Sequence, residues 1–146
     1  MPDTAISSVD DLPLERIVEL FAMERHPTCG WFAPHHADSE TRSRPSISSI
    51  YYLLSGDEPL PLGQLDATQV WHFYAGAPAR FEVGDGVRTP MESLLGRDFA
   101  GGQRPQLAVP AFLWQSARSL GAWTLLGATT SPARLARSSF VIDVGG

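Results

Sequence analysis

Only one cysteine, Cys29, occurs in 146 residues. A lone thiol excludes an intrachain disulfide framework and a CxxC site, and it makes the cytoplasm the expected location. Charge is scarce as well: Asp, Glu, Lys and Arg make up 18% of the chain, with a formal net charge of −5. A negative balance disfavours nonspecific attraction to nucleic acid or to an anionic membrane, so neither is expected as a partner. Arg42 and Arg44 are too isolated to form a phosphate-binding tract and read as part of a solvated face. No stretch approaches the roughly 20 apolar residues that span a bilayer. The opening MPDTAISSVDD lacks the basic region and apolar run of a secretory leader.

Apolar residues account for 43% of the chain, enough at this length for one domain with a real core. The expected division is a flexible segment over 1–11 followed by a single domain over 12–146. Ser7 to Pro13 reads as a cap and turn before a short helix at about 12–24, with Leu12, Ile17, Leu20 and Phe21 on its apolar face. His26-Pro27 is expected to end it, because the residue before proline disfavours helical geometry. Strand and turn signals follow at Ile47–Leu54, Leu60–Leu65, Gln69–Tyr74, Ala79–Val83, around Val87–Leu95, Leu107–Val109, Leu113–Ala117, Ala122–Thr129 and Phe140–Val144. Short strands at this frequency, punctuated by glycine and proline, predict an all-β antiparallel barrel or sandwich. Gly84 and Gly86 read as turn glycines and do not fit a nucleotide-binding fingerprint.

Several phrases carry a family signature: His26-Pro27 with Gly30-Trp31-Phe32, Ser48 to Leu54, Val70-Trp71-His72-Phe73-Tyr74-Ala75-Gly76, Leu95-Gly96-Arg97-Asp98, Gly102 to Gln106, Val109 to Arg118, and Leu126 to Pro132. On these the chain resembles the DUF985 or cupin_5 group of the cupin superfamily over nearly all of residues 12–142. The resemblance implies a jelly-roll β-barrel with a small-molecule cavity between its sheets, and a homodimer. It also implies four metal-ligand positions, which fall on Gly63, Leu65, Gln69 and Gln115. Two bring no ligand at all, and a neutral amide is a poor partner for Mn, Fe, Ni or Zn. No metal and no other cofactor is therefore expected. Further departures stand at Gln64, where the family usually has arginine, at Thr68-Gln69 in place of Asp-Glu, and at Phe112 in place of the glycine customary in a second cupin motif.

Strand alternation supplies the candidate cavity residues. If Gln69 faces inward, so do Trp71 and Phe73, and Gln115 joins them from the second hairpin. Two amides can donate to and accept from a carbonyl, phenol or hydroxyl without net charge. Alternatively, they satisfy neighbouring backbone groups or each other. Tyr51 and Tyr52 must point to opposite faces, so at most one reaches the cavity, and Tyr51 is taken as the candidate. Trp114 is a further candidate wall and Arg118 a candidate anion contact, with core packing and interface salt bridges as their ordinary alternatives. His72 is the strongest single base candidate because histidine titrates near neutrality. The parity that turns Gln69 inward turns His72 outward, unless a β-bulge intervenes. His35 and His36, beside Pro34, are expected in a loop near the cavity mouth as an alternative acid or base. Cys29 reads as a small buried thiol rather than a nucleophile.

These features favour a metal-independent enzyme acting on an organic small molecule, by isomerisation, epimerisation, cyclisation or dehydration. A noncatalytic small-molecule-binding or sensing protein is the second reading. A metal-dependent cupin enzyme using unconventional loop ligands is the third.

Overall fold

The computed structural model describes residues 8–38, 44–134 and 139–141. A 3-10 turn at Val9–Asp11 is capped by Ser8, whose Oγ accepts from the Asp10 N–H at 3.2 Å. Helix α1 spans Leu14–Leu20, shorter than the expected 12–24. It stops before His26-Pro27 because Ala22 adopts a left-handed φ of 51°, and the Met23 N–H turns back to Val18 O at 2.9 Å. Among the described residues eleven strands follow: β1 (Glu24–Arg25), β2 (Trp31–Ala37), β3 (Ser48–Ser55), β4 (Leu60–Leu65), β5 (Thr68–Gly76), β6 (Ala79–Gly84), β7 (Met91–Leu95), β8 (Gln106–Val109), β9 (Trp114–Ser119), β10 (Trp123–Ser131) and β11 (Ser139–Val141). Residues 1–7 of the expected flexible segment, and 142–144 of the last expected strand, lie outside the described residues.

β2 was not anticipated from its sequence, which holds Pro34 and two adjacent histidines. Its neighbours explain the tolerance: it pairs fully with β3, but on its other side meets only the two-residue β1. Proline is accommodated where a strand has a free edge, and the register between β2 and β3 shifts between Pro34 and His36. His35 and His36 therefore stand in a strand rather than in a loop.

The strands form two antiparallel sheets, ordered β1-β2-β3-β10-β5-β8 and β11-β4-β9-β6-β7. This corrects the expected jelly-roll barrel. Closure requires a continuous hydrogen-bonded ladder around the perimeter, and among the described residues both sheets instead end in free edges, at β1 and β8 and at β11 and β7. Strand frequency announces antiparallel β structure, but closure depends on whether the outermost strands pair with one another. Here the sheets stack as open layers.

Alternation assigns each side chain to a layer. Between the sheets lies a core in which Tyr52, Leu54, Trp71, Leu126 and Ala128 meet Phe81, Ala79, Leu95 and Ala117. Beneath α1, on the outer face of the six-stranded sheet, Ile17 packs with Leu53, Ala75, Trp123 and Leu125. A β-bulge opposite Leu125/Leu126 moves Ala75 from the inner parity to this outer cluster. Gly76, at the end of β5, has φ of 90°, and a Cβ there would lie 2.5 Å from the Trp123 carbonyl oxygen, so only glycine fits. The Asp10 carboxylate fastens the N-terminal turn to the sheet, accepting from the Gly76 N–H at 2.6 Å and pairing with Arg97 at 2.8 Å.

Candidate functional site

One end of the inter-sheet space stays open as a cavity of about 80 Å³. β3 supplies Ile50 and Tyr52, β4 supplies Leu60, Pro61, Gly63, Gln64 and Leu65, and β5 and β9 supply Gln69, Trp71 and Gln115. His26 and Thr28, beyond β1, and Arg134, beyond β10, close its rim. All four positions at which the family resemblance placed metal ligands line this one space, because Gly63 pairs directly with Gln115 across the β4–β9 ladder. Their side chains do not fit a transition metal: two neutral amides, one aliphatic group and one hydrogen. Among the described residues no group of three or more His, Cys, Asp or Glu side chains is arranged to hold an ion.

The amides instead form a relay with a fixed direction. Indole nitrogen only donates, so Gln115 must turn Oε1 toward Trp71 Nε1, at 2.8 Å. That leaves its amide nitrogen facing Gln69, whose Oε1 accepts at 2.9 Å. The Gln69 nitrogen then points to Thr130 Oγ1, at 3.4 Å. The two glutamines thus satisfy each other while still lining the cavity. Each amide nitrogen carries a second N–H beyond the one spent in the relay.

Two further side chains, absent from the expected site, complete the polar rim. The His26 Nδ1 accepts from the Thr28 N–H at 3.1 Å, so in the neutral ring the proton belongs on Nε2. Burial, with the neighbouring Arg134 charge adding to it, lowers the His26 pKa to about 4, and the ring is neutral at physiological pH. Tyr52 donates its hydroxyl proton to the Cys29 carbonyl, and burial raises its pKa far above the ordinary phenol value. Burial also pulls the Arg134 pKa down, though a guanidinium keeps its charge. Cys29 itself is buried, its Sγ lying 3.3 Å from the Pro59 carbonyl oxygen, and burial raises its pKa.

The other expected residues are placed elsewhere. Phe73 packs against the inter-sheet core beneath the Arg97 guanidinium, at 5.4 Å, without lining the cavity. Tyr51 faces outward among Phe21, His35 and Tyr74, at 5.0, 5.6 and 6.1 Å between rings. His72 stacks on Tyr74 on that outer face, since the bulge falls beyond it. His35 bonds Ser49 Oγ and His36 bonds Asp38, both in exposed settings. Trp114 and Arg118 lie on the outer face of the five-stranded sheet, Trp114 beside Leu62 and Gly86. Arg134 carried no local signal, and His26 read only as a helix stop and part of the family signature, because each sits at an element end that only the folded chain brings to the cavity. Tyr52 was legible only as one of two alternatives, since both faces of β3 are apolar.

The family model described as "Cupin superfamily (DUF985)" matches residues 15–136. Among solved structures, the chain is similar to a structural-genomics target protein from Shewanella oneidensis at 24% identity and a TM-score of 0.83, covering 90% of this chain and 85% of that one. A hypothetical protein from Leishmania major is similar at 18% identity and a TM-score of 0.79, covering 90% and 88%. A mutant oxalate decarboxylase from Bacillus subtilis is similar at 13% identity and a TM-score of 0.63, covering 81% of this chain but only 29% of that one. No curated protein sequence matches. At these identities the structural likeness speaks to the fold alone.

Proposed function

The chain belongs to the Cupin_5 family of the cupin superfamily, and on that premise we propose that it binds a small organic molecule, without a metal, in the cavity between its sheets. The observation that carries this reading is the relay from Trp71 through Gln115 and Gln69 to Thr130, which occupies the β5 and β9 walls of the cavity where the family pattern would have a metal. It replaces a cationic centre with oriented, uncharged hydrogen-bonding groups beside apolar walls. Such a mixture of a few fixed polar groups and apolar surface is characteristic of small-molecule sites.

Binding is favoured over isomerase-type or dehydratase-type catalysis by the state of the nearby acid–base groups. The free lone pair of neutral His26 is engaged by Thr28, the Tyr52 proton is engaged by Cys29, and no carboxylate lines the cavity among the described residues. A general base needs a free lone pair within reach of its proton. His72, His35 and His36 stand outside the cavity walls.

The test is native mass spectrometry of the purified full chain, paired with NMR of the Trp71 indole N–H during titration with a panel of small polar organic compounds. The expected result is saturable, reversible shifts of that resonance and recovery of the bound compound unchanged. Chemical conversion of the bound compound would replace this reading with an enzymatic one.

A further inference from the structure

We propose a second binding site, on the outer face of the five-stranded sheet, for a flat ring joined through a hydroxyl-bearing sugar to a phosphate, the chemistry of a nucleoside monophosphate. The site lies on the opposite side of that sheet from the inter-sheet cavity and does not rest on the reading of the cavity.

The face is built by register. β6 and β9 pair antiparallel, and Ala79, Phe81 and Ala117 fill the core from their inner sides. Alternation therefore sends Trp114, Ser116 and Arg118 of β9 outward, together with Gly84, Glu82 and Arg80 of β6. Register sets them opposite one another as three rungs: Trp114 with Gly84, Ser116 with Glu82, and Arg118 with Arg80. At about 3.3 Å per residue the first and last rungs stand about 13 Å apart. These six residues line two troughs that meet at Glu82 and Ser116, so the rungs share one continuous surface.

Each rung has its own chemistry. Two cations directly opposite one another in a sheet repel. Arg80 leans on Glu92 at 3.5 Å but hydrogen bonds to no described residue, and Arg118 makes neither an ion pair nor a hydrogen bond with any described residue. A phosphate between the two guanidinia removes the repulsion and takes forked bonds from both. On the middle rung the Glu82 carboxylate and the Ser116 hydroxyl are also unengaged among the described residues. A carboxylate accepts from sugar hydroxyls, as it does in dinucleotide sites, and its charge keeps the phosphate off this rung. On the remaining rung Gly84 puts no side chain against Trp114. Gly86 packs at the indole edge, where an added Cβ would lie 3.1 Å from Cδ1. Leu62 and Pro90 complete an apolar floor, and the half-buried indole is a platform for a stacked ring. Ring platform, hydroxyl acceptor and guanidinium pair thus follow in the order of base, sugar and phosphate. Arg80, Glu82 and Arg118 are exposed, so each contact alone is weak and selectivity needs all three rungs together.

The experiment titrates the full chain with AMP, adenosine, ribose 5-phosphate and inorganic phosphate, at low ionic strength, where exposed arginines are least screened. Calorimetry gives the affinities. The Trp114 indole N–H resonance, assigned by its loss in Trp114→Phe, reports the place. AMP is expected to bind at least about tenfold more tightly than each of the other three, a difference of about 1.4 kcal/mol, and to shift Trp114 without shifting Trp71. Arg118→Gln should bring AMP down to the level of adenosine. Glu82→Gln should erase the preference for AMP over its dideoxy analogue, which lacks both ribose hydroxyls, and leave the preference over adenosine intact. Both changes are at exposed positions, and thermal melts matching the unaltered protein confirm that the fold is kept. The four-ligand series on the unaltered protein needs no variant and decides the matter if a variant melts early. Ribose 5-phosphate or inorganic phosphate binding as tightly as AMP would overturn the ring assignment, and adenosine doing so would overturn the arginine pair. A shift of Trp71 in place of Trp114 would move the ligand to the cavity and defeat the proposal. So would an absence of saturable AMP binding at millimolar concentration, which leaves the cavity reading standing.

Discussion

Replacing Gln115 with leucine keeps the bulk at the centre of the relay and removes both of its hydrogen bonds. The Trp71 indole N–H loses its acceptor and the Gln69 carbonyl its donor, in a region where Trp71 is 3% exposed and Gln69 6%. Each buried polar group left unpaired costs about 1–3 kcal/mol. Burying leucine carbons where an amide stood returns about 1 kcal/mol or more. The net expectation is a loss of about 2–3 kcal/mol. At this chain length that is a drop of roughly 6–10 °C in melting temperature, with little change in denaturant m-value. Urea melts of Gln115→Leu, Trp71→Phe and the double variant give the decisive measurement. Trp71→Phe removes the donor that Gln115 serves, so the double variant should lose at least about 1 kcal/mol less than the sum of the singles. A single-variant cost below about 0.5 kcal/mol, or simple additivity in the cycle, would refute the relay and with it the fixed amide orientation on which the cavity's chemistry depends.

The pH dependence of stability gives a second expectation. His26 titrates near 4 in the folded chain against an ordinary 6.5, so between these values the unfolded chain binds a proton that the native state does not. Stability is then fully present above about 6.5 and falls as pH drops toward 4, by about 1–2 kcal/mol after allowance for the partial solvent exposure of the ring. Denaturation curves of His26→Gln should show that part of the slope removed; parallel pH profiles for variant and unaltered protein would contradict it. The donor set supplies a third expectation. Calorimetry with Mn(II) or Zn(II) should show no tight one-to-one binding dependent on Gln69, and tight binding that disappears on Gln69→Ala would overturn the account of the four cavity positions.

Much of the site could be read along the chain where the reading needed only local periodicity. Gln69 and Trp71 share a face because β5 alternates regularly until its bulge, and Gln115 shares the inward face of β9 with Ala117 by the same alternation. The same parity turned His72 outward. Tyr51 and Tyr52 show where the rule stops. Their opposition was certain from alternation, yet which one faced the cavity was not, because Leu53 and Leu54 are both fully buried, one under the helix and one between the sheets. β2 escaped notice because its proline is tolerated only by virtue of a nearly free edge, a property of the sheet rather than of the segment.

The sequence by itself determined the antiparallel β class, the family, and the replacement of metal ligands at Gly63, Leu65, Gln69 and Gln115, since each of these rests on residue type and spacing. Only the tertiary structure decided that the two sheets stay open, that the relay runs from Trp71 to Thr130, and that His26 and Arg134 share one rim. The physical reason is range. A side chain's direction within a strand follows from the two-residue period of the backbone, whereas sheet closure and cavity rims arise from contacts between segments far apart in the chain, whose meeting no local pattern encodes.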